Sequence, residues 1–327
     1  MTGKIVDVNC KEEDRAKAEK GADIIRKGGT VVFPTETVYG LGADAGNDGA
    51  CSKIYKIKSR QQDNPLIVHL ADKESVGKYA HIENVRKYKE LEKLWPGPLT
   101  IVMPKRETVG NVASAGLDTV GIRIPDCNFT RAFIRMSGTG IAAPSANRSG
   151  KPSATMAEHI MDELDGVDLI YRAERSRIGI ESTVIFPEGD SCKILRPGAY
   201  TEEDLLKIFH QVTYSGKDDP VRSPGMKYRH YSPDKTVLRA DAQSLLDYLK
   251  EHRDVLPIVT TETAKFIEGD KIVLGSLSNP YEISSSLYDS LRKLDASNYS
   301  KGIIESLPER GFFISVMNRI KKASVEL

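Results

Sequence analysis

Three short segments of the 327-residue chain hold side chains whose types and spacing could do chemistry. In KIYKIKSRQQDNPLIVHL (53–70), Lys53, Lys56, Lys58 and Arg60 follow one another with no acidic residue before Asp63. Such a run is ordinarily a solvated helix face, with cations favoured near the helix C-terminus. Lys58 and Arg60, however, lie beyond the apolar positions Ile54 and Ile57 and lead into Asn64-Pro65. There a point charge and a guanidinium fork can converge on a polyphosphate. PTETVYGLGADAGN (34–47) sets Thr35, Thr37 and Tyr39 at the end of an apolar strand, where α/β sheets receive ligands. Its glycines are spaced GxGxxxG and no GxxxxGK[ST] occurs, so neither a dinucleotide fingerprint nor a P-loop is present. APSANRSGKPSAT (143–155) carries Ala143, Ser145 and Asn147 off a short strand into a polar loop with Gly150 and Ser153, a pattern that also fits an Asx or Ser turn. Thr119, His69, Arg123, Ser182 and Arg196 are polar groups in or beside apolar strands, where a structural ion pair or a hydrogen-bonded core histidine is the commoner role.

These segments need a frame. From residue 1 to 209, short apolar strands (5–8, 30–35, 65–70) alternate with helical patterns (49–58, 83–95, near 128–137), as in an α/β sheet that is not purely parallel. Thr201-x-x-Asp204 is a helix start signal. Residues 210–235 lose periodicity and read as a linker rich in Pro, Gly, Ser and cations. From 236 to 327 the alternation resumes as a second, smaller α/β domain.

Composition narrows the classes further. Lys+Arg 47 against Asp+Glu 46 leaves +1, which removes the global basic footprint of a protein that coats nucleic acid or an anionic membrane. Cys10, Cys51, Cys127 and Cys192 are far apart, with no CxxC pair, so neither a zinc knuckle nor a disulfide framework is expected. A reducing, cytoplasmic setting fits that usage. No apolar run approaches the roughly 18 residues of a membrane span.

In order, PTETVYGLG, Lys58-x-Arg60 with Asn64-Pro-Leu-Ile-Val-His69, WPGPLT (95–100), VGIRIP (120–125), APSAN (143–147) and ESTV (181–184) closely resemble the threonylcarbamoyl-AMP synthase family, over about residues 15–205. The resemblance implies a YrdC-like catalytic domain, a twisted mixed sheet with flanking helices. Lys58, Arg60, Ser145 and Asn147 match its Lys-x-Arg plus Ser-x-Asn tetrad. SPGMKYRHYSP (223–233) and the domain after it resemble the long form, whose accessory domain is Rossmann-like. Two departures stand out. Ser59 and Gln61 flank Arg60 where the family commonly has Gly and Pro, and Ser153-Ala154-Thr155 replaces Ser-Pro-Thr.

The implied reaction is a nucleotidyl transfer that joins L-threonine, bicarbonate and ATP into threonylcarbamoyl-adenylate and pyrophosphate, for threonylcarbamoyladenosine in tRNA. The resemblance implies Lys58 and Arg60 as catalytic groups on the triphosphate, with Mg²⁺ sharing the charge and no protein ligand assigned to it. It implies Asn64, Thr119, Ser145, Asn147, Ser153, Arg196 and Tyr231 around ATP, and Thr37, His69, Arg123, Ser182 and the Ala143 backbone around threonine. A linker dense in Arg222, Lys227, Tyr228, Arg229, His230 and Tyr231 would act as a lid. The implied downstream partner is a tRNA threonylcarbamoyl transferase complex. The alternative is a double-stranded RNA-binding module built on the 53–60 cations, against which stand the near-zero net charge and the lack of interleaved aromatics.

Overall fold

The computed structural model describes residues 4–161, 163–216 and 231–327. Arg222, Lys227, Tyr228, Arg229 and His230, and with them most of the expected lid, lie outside the described residues. Eleven strands form the first sheet: β1 Lys4–Asp7, β2 Val31–Phe33, β3 Gly40–Asp44, β4 Ile67–His69, β5 Leu99–Pro104, β6 Thr119–Arg123, β7 Ile141–Ala143, β8 Leu169–Arg172, β9 Thr183–Glu188, β10 Ser191–Arg196 and β11 Gln211–Tyr214. Their order is β1-β8-β2-β3-β7-β4-β6-β5-β9-β10-β11, with parallel and antiparallel pairs mixed as the sequence pattern predicts.

Both faces of this sheet are covered, which is why its central strands read as unbroken apolar runs. Along β2 the two-residue period sends Val32 into the cluster with Ile54 and Tyr55 of the helix Asp48–Lys58. It sends Val31 and Phe33 into the opposite cluster, with Phe129 and Phe133 of the helix Asn128–Ser137. The Gly40 and Gly42 pattern proves to be a packing device: a Cβ would lie 2.8 Å from the Phe33 ring at Gly40 and 2.4 Å from Ile141 at Gly42.

The structure corrects three expectations. Residues 83–95 are not one helix but separate single turns, Ile82–Asn84, Tyr88–Leu91 and Glu92–Leu94, with no side-chain cap at the start of any of them. The turns aim Val85, Tyr88 and Leu91 into the core before the cis Trp95-Pro96 bond. The first sheet reaches into the stretch read as linker, because β11 pairs in parallel with β10. Cys10 and Cys127 form a disulfide across a sequence separation of 117, their Cα atoms 4.7 Å apart. Spacing along the chain cannot reveal a pairing that depends on the N-terminal arm lying over the start of the helix Asn128–Ser137, where the Asn128 amide donates to the Cys10 carbonyl.

The second domain is a parallel sheet of β12 Thr236–Ala240, β13 Val255–Val259, β14 Ile272–Val273, β15 Lys301–Glu305 and β16 Val325–Glu326, ordered β14-β13-β15-β12-β16. It agrees with the Rossmann-like expectation, and β15 and β16 are additions to it. Its long helix Pro280–Ala296 packs Ile283, Leu287 and Tyr288 in one cluster with Val38, Ile178 and Ile180 of the first domain. The two surfaces approach so closely that a Cβ on Gly179, at φ +77°, would lie 2.2 Å from the Ser285 Cα.

Candidate functional site

A cavity runs along one face of the central strands. Ile67 and His69 of β4 line it two residues apart, with Ala143 of β7 opposite Ile67 and Arg123 of β6 opposite His69 in register. Arg60, Ser145, Asn147, Ser153, Arg196 and Tyr231 complete the expected members of the lining. Thr35, Lys151 and Glu181 also line it, without having been assigned there. Lys58, Asn64, Thr37 and Ser182 stand behind the wall, and Thr119 lies at the far end of β6 from Arg123.

Three members of the tetrad, Lys58, Ser145 and Asn147, form one hydrogen-bonded unit, and Arg60 is bonded apart from them. The helix Asp48–Lys58 starts on the Asn47 cap and ends at Ser59, a non-glycine residue at φ 51°, so the turn is left-handed where the family commonly has glycine. That turn sends Lys58 and Arg60 in different directions. Lys58 is 1 % exposed and its Nζ donates to the carbonyls of Ser145 and Asn147. Burial, then the nearby Arg60 charge, pushes its pKa well below the ordinary lysine value. The Ser145 hydroxyl donates to Asn147 Oδ1 at 2.5 Å, and Asn147 Nδ2 donates to the Arg148 and Lys151 carbonyls at 2.8 and 2.9 Å. The loop is itself pinned to the strand below it, Leu41 N donating to the Pro144 carbonyl and Ala146 N to the Tyr39 carbonyl.

Arg60 faces the cavity, and its guanidinium donates to the carbonyls of Asn64 and Pro65 at 3.1–3.3 Å. Burial pulls its pKa down to about 10, with the Arg196 charge acting the same way, so it stays a cation at neutral pH. Because Lys58 is buried and the partly buried Arg60 turns to the cavity, the 53–60 run is not a continuous basic surface, which removes the main support for duplex RNA binding.

At the other wall, Arg123 Nη2 donates to Glu36 Oε1 at 2.7 Å, a pair with both side chains buried. Its Nε has no hydrogen-bond partner among the described residues, a donor available to a carboxylate. His69 lies edge-on to Phe33 and contacts the Ile67 carbonyl through Nδ1 at 3.1 Å. Burial, followed by the Arg123 charge, lowers its pKa to about 3, so the imidazole is neutral. Ser182 Oγ is 2.8 Å from Thr100 Oγ1 and accepts from Arg196 Nη2 at 3.1 Å. Thr37 Oγ1 is 2.9 Å from Thr35 Oγ1.

Glu36 and Glu181, absent from the expected set, are the carboxylates that hold the two walls. Glu181 accepts from the Ser153 hydroxyl at 2.6 Å, from Tyr288 at 3.0–3.1 Å and from Arg319 at 3.1 Å. Burial alone would raise its pKa, but Arg319 and Arg196, with the Ser153 hydrogen bond, outweigh that and bring it to about 2. A glutamate directly before Ser182 was the one local signal for this role. Tyr231, at φ 68°, stacks on Tyr288 with ring centroids 5.4 Å apart. Among the described residues no three His, Cys, Asp or Glu side chains cluster to hold a metal, and no helix is long and apolar enough to cross a membrane.

Residues 23–198 match a family described as Telomere recombination, and residues 200–325 match Threonylcarbamoyl-AMP synthase, C-terminal domain. A threonylcarbamoyl-AMP synthase of Pyrococcus abyssi is 36% identical over 335 residues, covering 97% of each chain. One from Bacillus subtilis is 38% identical over 318 residues, covering 93% of this chain and 92% of that protein. The crystal structure of the P. abyssi protein Sua5 complexed with L-threonine superimposes with a TM-score of 0.88 at 34% identity, over 99% of both chains. The Escherichia coli YciO structure shares the fold alone, at 22% identity and a TM-score of 0.52 over 61% of this chain and 96% of that one.

Proposed function

The chain belongs to the threonylcarbamoyl-AMP synthase family and makes threonylcarbamoyl-AMP; from that premise we propose that its central cavity joins L-threonine, bicarbonate and ATP by nucleotidyl transfer. The observation that carries this reading is the charge balance of the lining. Arg60, Arg123 and Arg196 line one cavity with Glu181; Arg319 already neutralises Glu181 and Glu36 already pairs with Arg123, so Arg60 and Arg196, together with the unpartnered Nε of Arg123, call for anionic ligands. A triphosphate and an amino-acid carboxylate meet that demand at opposite walls.

Arg123, with its unpartnered Nε, is the fork for the threonine carboxylate, and the Thr35–Thr37 hydroxyl pair, Ser182 and the Ala143 backbone surround the rest of the amino acid. His69 is an uncharged wall. It does not repel the substrate amine, and its depressed pKa is poorly matched to a general base at neutral pH. The neutral amine combines with bicarbonate to give a carbamate and water. A carbamate oxygen then attacks the α-phosphorus: the new O–P bond forms as the bond to the β-phosphate oxygen breaks and pyrophosphate leaves. Arg60, Arg196 and the Ser145–Asn147 loop supply positioning and charge neutralisation. Lys58, stripped of solvent and held by two carbonyls, needs only a short pivot to reach a phosphate oxygen. Mg²⁺ carried on the triphosphate would share its charge; Glu181, the carboxylate of the lining, is committed to Arg319, Tyr288 and Ser153 and would not be free to hold it. Asn64 and Thr119, set back from the cavity, reach ATP only if the loop after Arg60 and the start of β6 adjust. The product passes to a tRNA threonylcarbamoyl transferase in the cytosol.

The test is direct. Protein, ATP, Mg²⁺, L-threonine and bicarbonate are mixed and the products read by mass spectrometry. Threonylcarbamoyl-adenylate and pyrophosphate, both dependent on threonine and bicarbonate, are expected; ATP turnover indifferent to either co-substrate overturns the reading.

A further inference from the structure

We propose that the second domain supplies two positioning residues to the reaction, Arg319 and Tyr288, which hold Glu181 and through it the Ser153 and Arg196 side of the nucleotide wall. The inference rests on the proposed reading of the cavity. Glu181 lines the cavity, whereas Arg319 and Tyr288 do not and belong to helices of the second domain, Phe313–Ala323 and Pro280–Ala296. Arg319 Nε and Nη2 both donate to Glu181 Oε2 at 3.1 Å, and the Tyr288 hydroxyl reaches both carboxylate oxygens. The other oxygen, Oε1, receives the Ser153 hydroxyl at 2.6 Å. Arg319 Nη1 donates in addition to the carbonyl of Pro197, the residue after Arg196. One fully buried guanidinium thus ties together two loops that each carry a cavity residue.

Domain adhesion does not require this arrangement. The interface already has the apolar cluster around Ile283, Leu287 and Ile180, and a buried ion pair is a poor source of adhesion because two charges must be desolvated. What a buried, hydrogen-bonded pair adds is a fixed orientation for the groups it touches. Ser153 is the group so fixed, since its acceptor is the carboxylate that Arg319 aims.

Arg319→Met, Tyr288→Phe, Glu181→Gln and the double variant Arg319→Met/Glu181→Gln are compared in the full chain. KM for ATP, the dissociation constant for threonine, kcat and the melting temperature are measured for each. Arg319→Met is expected to raise KM for ATP at least tenfold with threonine affinity within twofold of wild type, and Tyr288→Phe to raise it about threefold. Glu181→Gln in the Arg319→Met background is expected to recover most of the loss, because no unpaired buried charge remains. An unchanged KM for ATP, or equal losses for ATP and threonine that the double variant does not reverse, overturns the proposal. If Arg319→Met does not fold, Tyr288→Phe decides by the same split. Should the wild type bind no ATP, the reading of the cavity fails instead, and the two failures are distinct.

Discussion

Lys58 and Glu181 are both charged groups sealed inside the protein, yet they are held in opposite ways. Among the described residues Lys58 forms no ion pair with a carboxylate: its Nζ rests on two backbone carbonyls of its own domain, and burial depresses its pKa. Glu181 is met by a guanidinium from the other domain, with a tyrosine and a serine hydroxyl, and its pKa falls because the charged form is favoured. A charge held only by dipoles can turn toward an arriving anion at little cost, while a charge locked to a counter-ion cannot. The site therefore has a yielding end at Lys58 and Arg60 and a rigid end at Glu181 and Arg319.

The largest expected effect lies at the yielding end. Arg60→Ala or Lys58→Met lowers threonine-dependent adenylate formation by about 10²–10³-fold, the scale for removing a transition-state charge donor. Circular dichroism is to stay native, and retained turnover would erase the distinction. At the rigid end the same kind of truncation acts on stability: Arg319→Met is expected to cost about 3–5 kcal/mol in urea denaturation, because Glu181 is left buried and unpaired.

Acid separates the two ends further. The folded pKa of Glu181, about 2, lies below its ordinary 4.5, so its stabilisation is full above pH 4.5 and is lost as pH falls toward 2. His69, at about 3 against 6.5, adds a loss that starts just below pH 6.5. Glu181→Gln should reduce the slope of melting temperature against pH below 4.5 and leave the limb between 4.5 and 6.5 in place. Lys58 acts at the alkaline side: its folded pKa is depressed, so its contribution grows as pH rises toward 10.5, and Lys58→Met should remove that rise.

The smallest effect is at the hinge between Lys58 and Arg60. Ser59 occupies a left-handed conformation, φ 51°, which costs a non-glycine residue about 1–2 kcal/mol. Ser59→Gly is expected to stabilise the protein by about 1 kcal/mol, read as a shift in the urea midpoint; no shift would mean the turn is held by something other than its own backbone preference.

Much of this was legible in the residues themselves. Apolar runs marked β1, β2 and β4, the Thr201/Asp204 capping box formed as the spacing predicts, and the Ser145–Asn147 loop meets Lys58. These depend on a strand period, a helix cap or a short motif, all settled within a few residues. Nothing local could show that Cys10 meets Cys127, that Lys58 is sealed from solvent, or that Arg319 reaches a carboxylate 138 positions earlier. Which elements form is decided by side-chain periodicity along the chain. Which charges are paired, and which are left for a ligand, is decided by desolvation, and that depends on what folding brings alongside from elsewhere.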